Sequence, residues 1–452
     1  MTFLSPSPTR LGLVCLARLT FEADLASQWH RQAQAAFSAL DGIELCAFAP
    51  LVVEPQQAED AIAELRAQHI DALIILNGTF ALGGLAVQLA SAFDAPILLW
   101  AWPEPQEQTG KLRLNSLVGA HLNASNLYKL GYRPQTLYSA LDDPRTATTI
   151  MQFARTAGIL RDLRRLRVGL VGGHAPGFDN LAVHKPALRQ SLGVEVVEVG
   201  LQALVARAKS IANKQVKMAR GEMLGIFEDT SEVSGNQSEL FTTLLLALQE
   251  LATEQQFDAL ALKCWGDIVE AYGIAACGAA AMLNNGGLVV GCEGDVMGAI
   301  TMLIAQRLCG TPAFLTDLVS IERGDNTGFL WHIGCAPLCL AAPGKPKHLF
   351  SHFAGGKGLT AGFPLKEGVV TILRLGDDGR SLRAIAATGT ALPTEMSVRG
   401  TVASVKFDGD AGAFLEELLA NGWEHHVALA YGEILPEVAM LCRALNIPLT
   451  IR

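Results

Sequence analysis

Apolar runs and amphipathic stretches alternate along the first third of the chain. Residues 11–16 are continuously apolar, 21–40 carry helical spacing, 43–48 are strand-like, and 56–68 are helical and charged. Residues 72–76 form a strong apolar run closed by Asn77-Gly78-Thr79, followed by a helical 82–93 and a strand-like 96–100. Unbroken apolar runs between helices are the pattern of strands buried on both faces of a parallel sheet. The rhythm predicts a doubly wound α/β domain over residues 1–165.

After a basic helical stretch at 159–167 the rhythm restarts. A strand at 168–171 ends in Gly172-Gly173-His174-Ala175-Pro176-Gly177, a second strand covers 194–199, and a long helical region runs from 201 to 255 with a polar break at 231–237. Strands at 259–262 and 288–290 are separated by a helix through 268–283, and another helix covers 297–308. These predict a second α/β domain over 166–325. From about residue 326 the texture changes: 369–375, 382–388 and 400–406 are strand-like, separated by turn signals such as Asp377-Asp378-Gly379. The fold class expected is therefore α/β, two doubly wound parallel-sheet domains followed by a mostly antiparallel β domain over 326–452. That last part also holds a helix at 411–420, the run Trp423-Glu424-His425-His426-Val427, and a helix ending near 445.

Half of the 452 residues are hydrophobic and 17% are charged, enough apolar material for large cores. A formal net charge of −9 leaves no basic footprint, which argues against nucleic acid as a partner. The most apolar stretches, such as 274–282, are interrupted too soon for membrane spans, and the first ten residues carry no long apolar segment of a signal peptide. The nine cysteines are odd in number and lack CxxC spacing, as expected of reduced, buried thiols in a cytoplasmic protein.

The chemistry concentrates between residues 261 and 340. Two predicted strands end abruptly in polar segments, Lys263-Cys264-Trp265-Gly266-Asp267 and Gly291-Cys292-Glu293-Gly294-Asp295. Ligands gather at the carboxyl ends of parallel strands. Neighbouring strands would thus bring Asp267, Glu293 and Asp295 to one rim, as hard cations and proton transfer both require. In extended chain Glu293 and Asp295 would project to the same side. The alternative is that Asp267 and Asp295 cap the helices that follow them. His425-His426, flanked by Trp423 and Val427, would complete a cation site begun by carboxylates, or lie on the surface. His332, between Trp331 and Ile333-Gly334, is a candidate for substrate binding or a satisfied core histidine. The loop 172–177 lacks the spacing of a nucleotide-binding loop and reads as a turn. Arg18, Thr20 and Asn77 are strand-end polar groups available to a substrate or a neighbouring subunit.

On these segments the chain resembles the L-fucose isomerase and L-arabinose isomerase superfamily. The likeness rests on Cys264-Trp265-Gly266-Asp267, Cys292-Glu293-Gly294-Asp295, Trp331-His332-Ile333-Gly334 and the His425-His426 pair, and together with the two α/β domains and the trailing β domain it covers most of the chain, as in a shorter, divergent branch. It implies an aldose–ketose isomerase working through a cis-enediol, with a divalent metal, usually Mn²⁺, held by two acids and a histidine. By position, Glu293 and Asp295 are similar to the family's acids, Asp267 is the match for the first of them, and His426, or else His425, resembles the metal histidine. Carried over, Glu293 and Asp295 serve as ligands and acid/base groups with Asp267 assisting, while Trp265 and Trp331 stack on a sugar. The family also implies a homo-oligomer, trimer or hexamer, in which Arg18 and Thr20 approach a neighbour's site. The other readings are a sugar-binding protein without turnover, and an isomerase of an unusual substrate such as a sulfosugar.

Overall fold

The computed structural model describes residues 7–106, 110–352 and 357–452; most of the polar lead-in noted above, residues 1–6, lies outside them. Two compact units divide the chain. One runs to Asp162 and includes Pro436–Asn446; the other comprises Leu163–Leu435 and Ile447–Arg452.

The first unit contains β1 (Thr9–Leu16), α1 (Ala23–Ser38), β2 (Ile43–Val52), α2 (Pro55–Ala67), β3 (Ala72–Asn77), α3 (Gly83–Ser91), β4 (Ile97–Ala101), α4 (Ser116–Lys129), β5 (Gln135–Tyr138) and α5 (Pro144–Leu163). Its sheet is parallel throughout, in the order β2-β1-β3-β4-β5, a doubly wound arrangement. The unbroken apolar runs have a direct cause. Val14, Leu16, Leu73, Ile75 and Leu99 pack on one face, while Leu11, Leu13, Ile74, Leu76, Leu98 and Trp100 pack on the other.

The second unit opens with β6 (Arg167–Val171), α6 (Lys185–Leu192), β7 (Glu195–Val199), α7 (Leu201–Ser210), α8 (Asn213–Leu224), α9 (Gly235–Glu254), β8 (Ala259–Leu262), α10 (Asp267–Tyr272), α11 (Cys277–Asn285), β9 (Val289–Cys292) and α12 (Val296–Cys309). Its parallel sheet has the order β7-β6-β8-β9, so the two strands that end in polar segments are neighbours, with Leu262 opposite Cys292. Two helical expectations are subdivided. The 201–255 region is three helices, the last begun by a Ser234/Gln237 capping box. The expected helix over 268–283 breaks at Gly273, whose φ of 106° is left-handed, and Ala275 there bridges to Gly358 instead of continuing the helix.

The remaining strands are β10 (Phe314–Glu322), β11 (Thr327–His332), β12 (His348–Ser351), β13 (Leu359–Pro364), β14 (Gly368–Asp377), β15 (Leu382–Leu392), β16 (Thr401–Phe407), β17 (His426–Tyr431) and β18 (Leu449–Ile451), with α13 (Ala411–Ala420) and α14 (Leu435–Ala444) between them. They form one sheet in the order β12-β13-β16-β11-β10-β17-β14-β15-β18. An added β15–β16 pairing closes β16, β11, β10, β17, β14 and β15 into a ring whose six pairings are all antiparallel. Closure removes exposed edges from those six strands. Helix α12 is apolar on every side because it is enclosed, lying against β8 and β9 and also against β14 and β17. It thereby fixes the end of β9 relative to the start of β17. Among the described residues, no helix is long and apolar enough to cross a membrane.

Candidate active site

The β9–α12 turn is locally unusual. Glu293 has φ 61° and Gly294 φ 79°, so the chain leaves the extended conformation immediately after Cys292. A non-glycine residue in the left-handed region is strained, and such strain concentrates at functional sites. The turn is held by Gly294 N–H donating to Leu262 O (3.1 Å) and Ala175 N–H donating to Glu293 O (3.1 Å). A Cβ at Gly294 would lie 2.4 Å from Gly173 O, so the close approach of the 172–177 loop requires glycine there. That glycine-rich loop therefore supports the Glu293 turn.

Because of this turn, Glu293 and Asp295 do not project side by side as extended chain would require. They bracket one imidazole from opposite edges. Asp295 Oδ2 lies 2.9 Å from His426 Nδ1, while Glu293 Oε2 lies 3.6 Å from His426 Nε2. An ionised carboxylate only accepts, so His426 donates its Nδ1–H to Asp295 and presents the Nε2 lone pair toward Glu293.

Asp295 is fully committed. It caps α12 by accepting from Gly298 N–H (2.7 Å) and receives both Arg374 Nη groups, at 2.6 and 3.1 Å. Arg374 also places Nε 3.5 Å from Glu424. Burial opposes ionisation of Asp295, but the Arg374 guanidinium and His426 hold its carboxyl far below the usual carboxylate range. Burial likewise opposes the charge on Arg374, and Asp295 and Glu424 outweigh it to raise the guanidinium.

On the Nε2 side of His426, three further donors converge. His332 Nε2 is 3.4 Å away, Glu293 Oε2 3.6 Å, and Asp317 Oδ1 3.9 Å. Strand register explains Asp317: on β10 it pairs directly with His426 on β17. Its Oδ1 is buried with no hydrogen-bond partner. His332 is 2% exposed, and its Nδ1 contacts the Cys335 thiol at 3.3 Å, which leaves Nε2 toward the cluster. Burial pushes the Glu293 carboxyl up, but the His425 hydrogen bond and the imidazoles of His426 and His332 bring it below its ordinary value. Glu293 Oε1 accepts from Trp265 Nε1 at 3.0 Å, and Oε2 is 3.1 Å from His425 Nε2. His425 also lies within 3.4 Å of Asn180 and packs on Phe178, which meets Trp265 edge-on.

The other sequence candidates fall elsewhere. Asp267 begins α10, exposed, and pairs with Lys263 at 2.5 Å. Trp331 donates its indole N–H to Arg399 O (2.8 Å) and stacks on His332. In the first unit, Asn77 is buried and uses its amide on Trp100 O and Asn123, while Arg18 and Thr20 are exposed after β1. No sequence motif singles out Asp317. Its available signal was a lone aspartate within the strand-like Phe314–Glu322 run, where aspartate is disfavoured.

Two carboxylates and two imidazoles with one orphaned buried oxygen form a donor set suited to a divalent first-row cation. The model of the fucose/sulfoquinovose isomerase N-terminal domain matches residues 12–164. A sulfoquinovose isomerase of Clostridium sp. (strain MSTE9) is 30% identical over 83% of this chain and 85% of its own. The chain belongs to the fucose/sulfoquinovose isomerase family. The sulfoquinovose isomerase of Priestia aryabhattai is 28% identical over 97% of this chain and 98% of its own, and that of Alkalicoccus urumqiensis is 28% identical over 84% and 85%. As a fucose/sulfoquinovose isomerase family member, this chain is an aldose–ketose isomerase. Its cluster of acids and imidazoles is the kind of site that such proton-transfer chemistry needs.

Proposed function

We propose that this enzyme interconverts sulfoquinovose and its 2-ketose through a cis-enediol at the cluster of Glu293, Asp317, His332 and His426. The approach of Glu293, Asp317 and His332 to within 3.9 Å of His426 Nε2 carries the reading. The likeness to sulfoquinovose isomerases, over 97% of this chain for one and 83% for another, supports the substrate.

The four side chains would hold a divalent ion, taken as Mn²⁺ from the family resemblance and compatible with a mixed carboxylate–imidazole donor set. A cation held there would supply Lewis-acid stabilisation of the developing enediolate charge. Asp317, 29% exposed and with an oxygen unpaired, would take the C2 proton and return it to C1. Glu293, with donors at both oxygens, is suited to carry the hydroxyl proton between O2 and O1. Asp295 is a positioning residue in this reading, since its carboxylate is spent on Arg374, Gly298 and His426 Nδ1, away from Nε2. His425, Trp265, Phe178 and Asn180 form the wall against which the sugar would lie. Buried, unpaired thiols fit a reducing, cytoplasmic setting. A homo-oligomer, trimer or hexamer, would use the exposed Arg18 and Thr20 against a neighbour.

Incubation with Mn²⁺ and sulfoquinovose in D₂O, followed by NMR, tests this. The expected result is ketose formation with deuterium entering at the C2 position of recovered aldose, and at least tenfold slower turnover of L-fucose and glucose 6-phosphate. Absence of both exchange and ketose would refute the assignment.

A further inference from the structure

Beside the acidic site lies a second cluster of metal-ligating atoms that the isomerisation does not use. Cys264 follows β8, Cys277 opens α11 and Cys292 closes β9; their three Sγ atoms lie within 4.8 Å of one another. Each residue is 0% exposed. All three are anchored at the ends of regular elements. The Cys264 and Cys277 segments are tied by Ala276 N–H donating to Cys264 O at 2.7 Å, and those of Cys264 and Cys292 by the β8–β9 ladder. The three thiols also lie within hydrogen-bond reach of one another, so the sulfurs face a common centre and not three separate pockets.

We propose that Cys264, Cys277 and Cys292 form a second metal site, selective for a thiophilic d¹⁰ ion such as Zn²⁺, Cd²⁺ or Cu⁺. Ligands about 2.3 Å from a shared zinc sit about 3.8 Å from each other in a tetrahedron, within the spread seen here. An all-sulfur set selects soft ions and rejects the hard cation suited to Glu293 and Asp317. The two sites would therefore hold different metals although Cys292 and Glu293 are adjacent in sequence. Cys292 also reaches toward Cys335, which touches His332, so the sulfur site adjoins the acidic one on two sides.

The test uses the full-length, Mn²⁺-loaded enzyme carrying C309S and C339S, which removes the two cysteines that are not buried. Cd²⁺ is added under reducing conditions with prolonged equilibration. The expected result is one Cd²⁺ per chain with sulfur-to-cadmium charge-transfer absorption in the ultraviolet, and affinity falling about a hundredfold in Cys277→Ala. Should that variant fail to fold, X-ray absorption of the unmutated site after growth in zinc-supplemented medium gives the answer: a sulfur shell at about 2.3 Å supports the proposal. Absence of charge transfer, charge transfer that persists in folded Cys277→Ala, or a zinc shell of only nitrogen and oxygen overturns it.

Discussion

Glu293→Gln is expected to lower kcat/KM by about a thousandfold while the chain remains folded. Glutamine keeps the volume and still accepts from Trp265 Nε1, so the wall of the site survives. What disappears is the negative charge beside His426 and His332 and the carboxylate able to carry a hydroxyl proton. The stabilisation that Mn²⁺ confers on thermal unfolding should shrink with it, since a ligand stabilises only by its affinity for the folded state. Asp295→Asn makes the informative contrast. It leaves the cluster on the Nε2 side intact, weakens the bond that orients His426 and removes the counter-charge of Arg374, so its stability falls while the groups facing the substrate remain. Supporting partners of this kind typically alter metal affinity about 10–100-fold. Its kcat at saturating Mn²⁺ should therefore stay much closer to wild type than that of Glu293→Gln. Equal loss in the two variants would remove the distinction between a group at the reacting atoms and one that positions a histidine.

The second large effect is structural. Arg374 is about 1% exposed and is the counter-charge for a completely buried Asp295. Removing one partner of a buried ion pair leaves the other charge without compensation, at a cost of about 3–5 kcal/mol. Arg374→Met is thus expected to lower the folding free energy by that amount in chemical denaturation, and to lower Mn²⁺ affinity because Asp295 no longer holds its position. The double variant Asp295→Asn with Arg374→Met should recover part of the stability, because the Asp295 charge is then gone and only Glu424 is left without its cation. Stability of Arg374→Met within about 1 kcal/mol of wild type would show that the pair does not organise this end of α12.

The architecture was largely legible because burial on both sheet faces writes itself into the sequence as unbroken apolar runs. β1, β3, β4, β8 and β9 all lie where such runs fall. The helix breaks at Gly273 and before Ser234 were less visible, since apolar spacing carries across them and only local backbone conformation ends the helices. The site was legible where residues cluster in sequence: Glu293, Asp295, His425, His426 and His332 do meet in one region. Two features were hidden. The left-handed Glu293 turn reverses the expectation that residues two apart face together, and nothing short of backbone geometry reveals that. Asp317 has no motif around it; only the β10–β17 register sets it opposite His426.

The most direct measurement is a crystal structure of the Mn²⁺-loaded enzyme with anomalous scattering at the manganese edge. One strong peak is expected about 2.0–2.3 Å from Glu293, Asp317, His332 and His426, with Asp295 outside the coordination sphere on the far edge of the His426 ring. A peak bound by Asp295 or Asp267, or manganese absent from this cluster in an enzyme that it activates, would contradict the account.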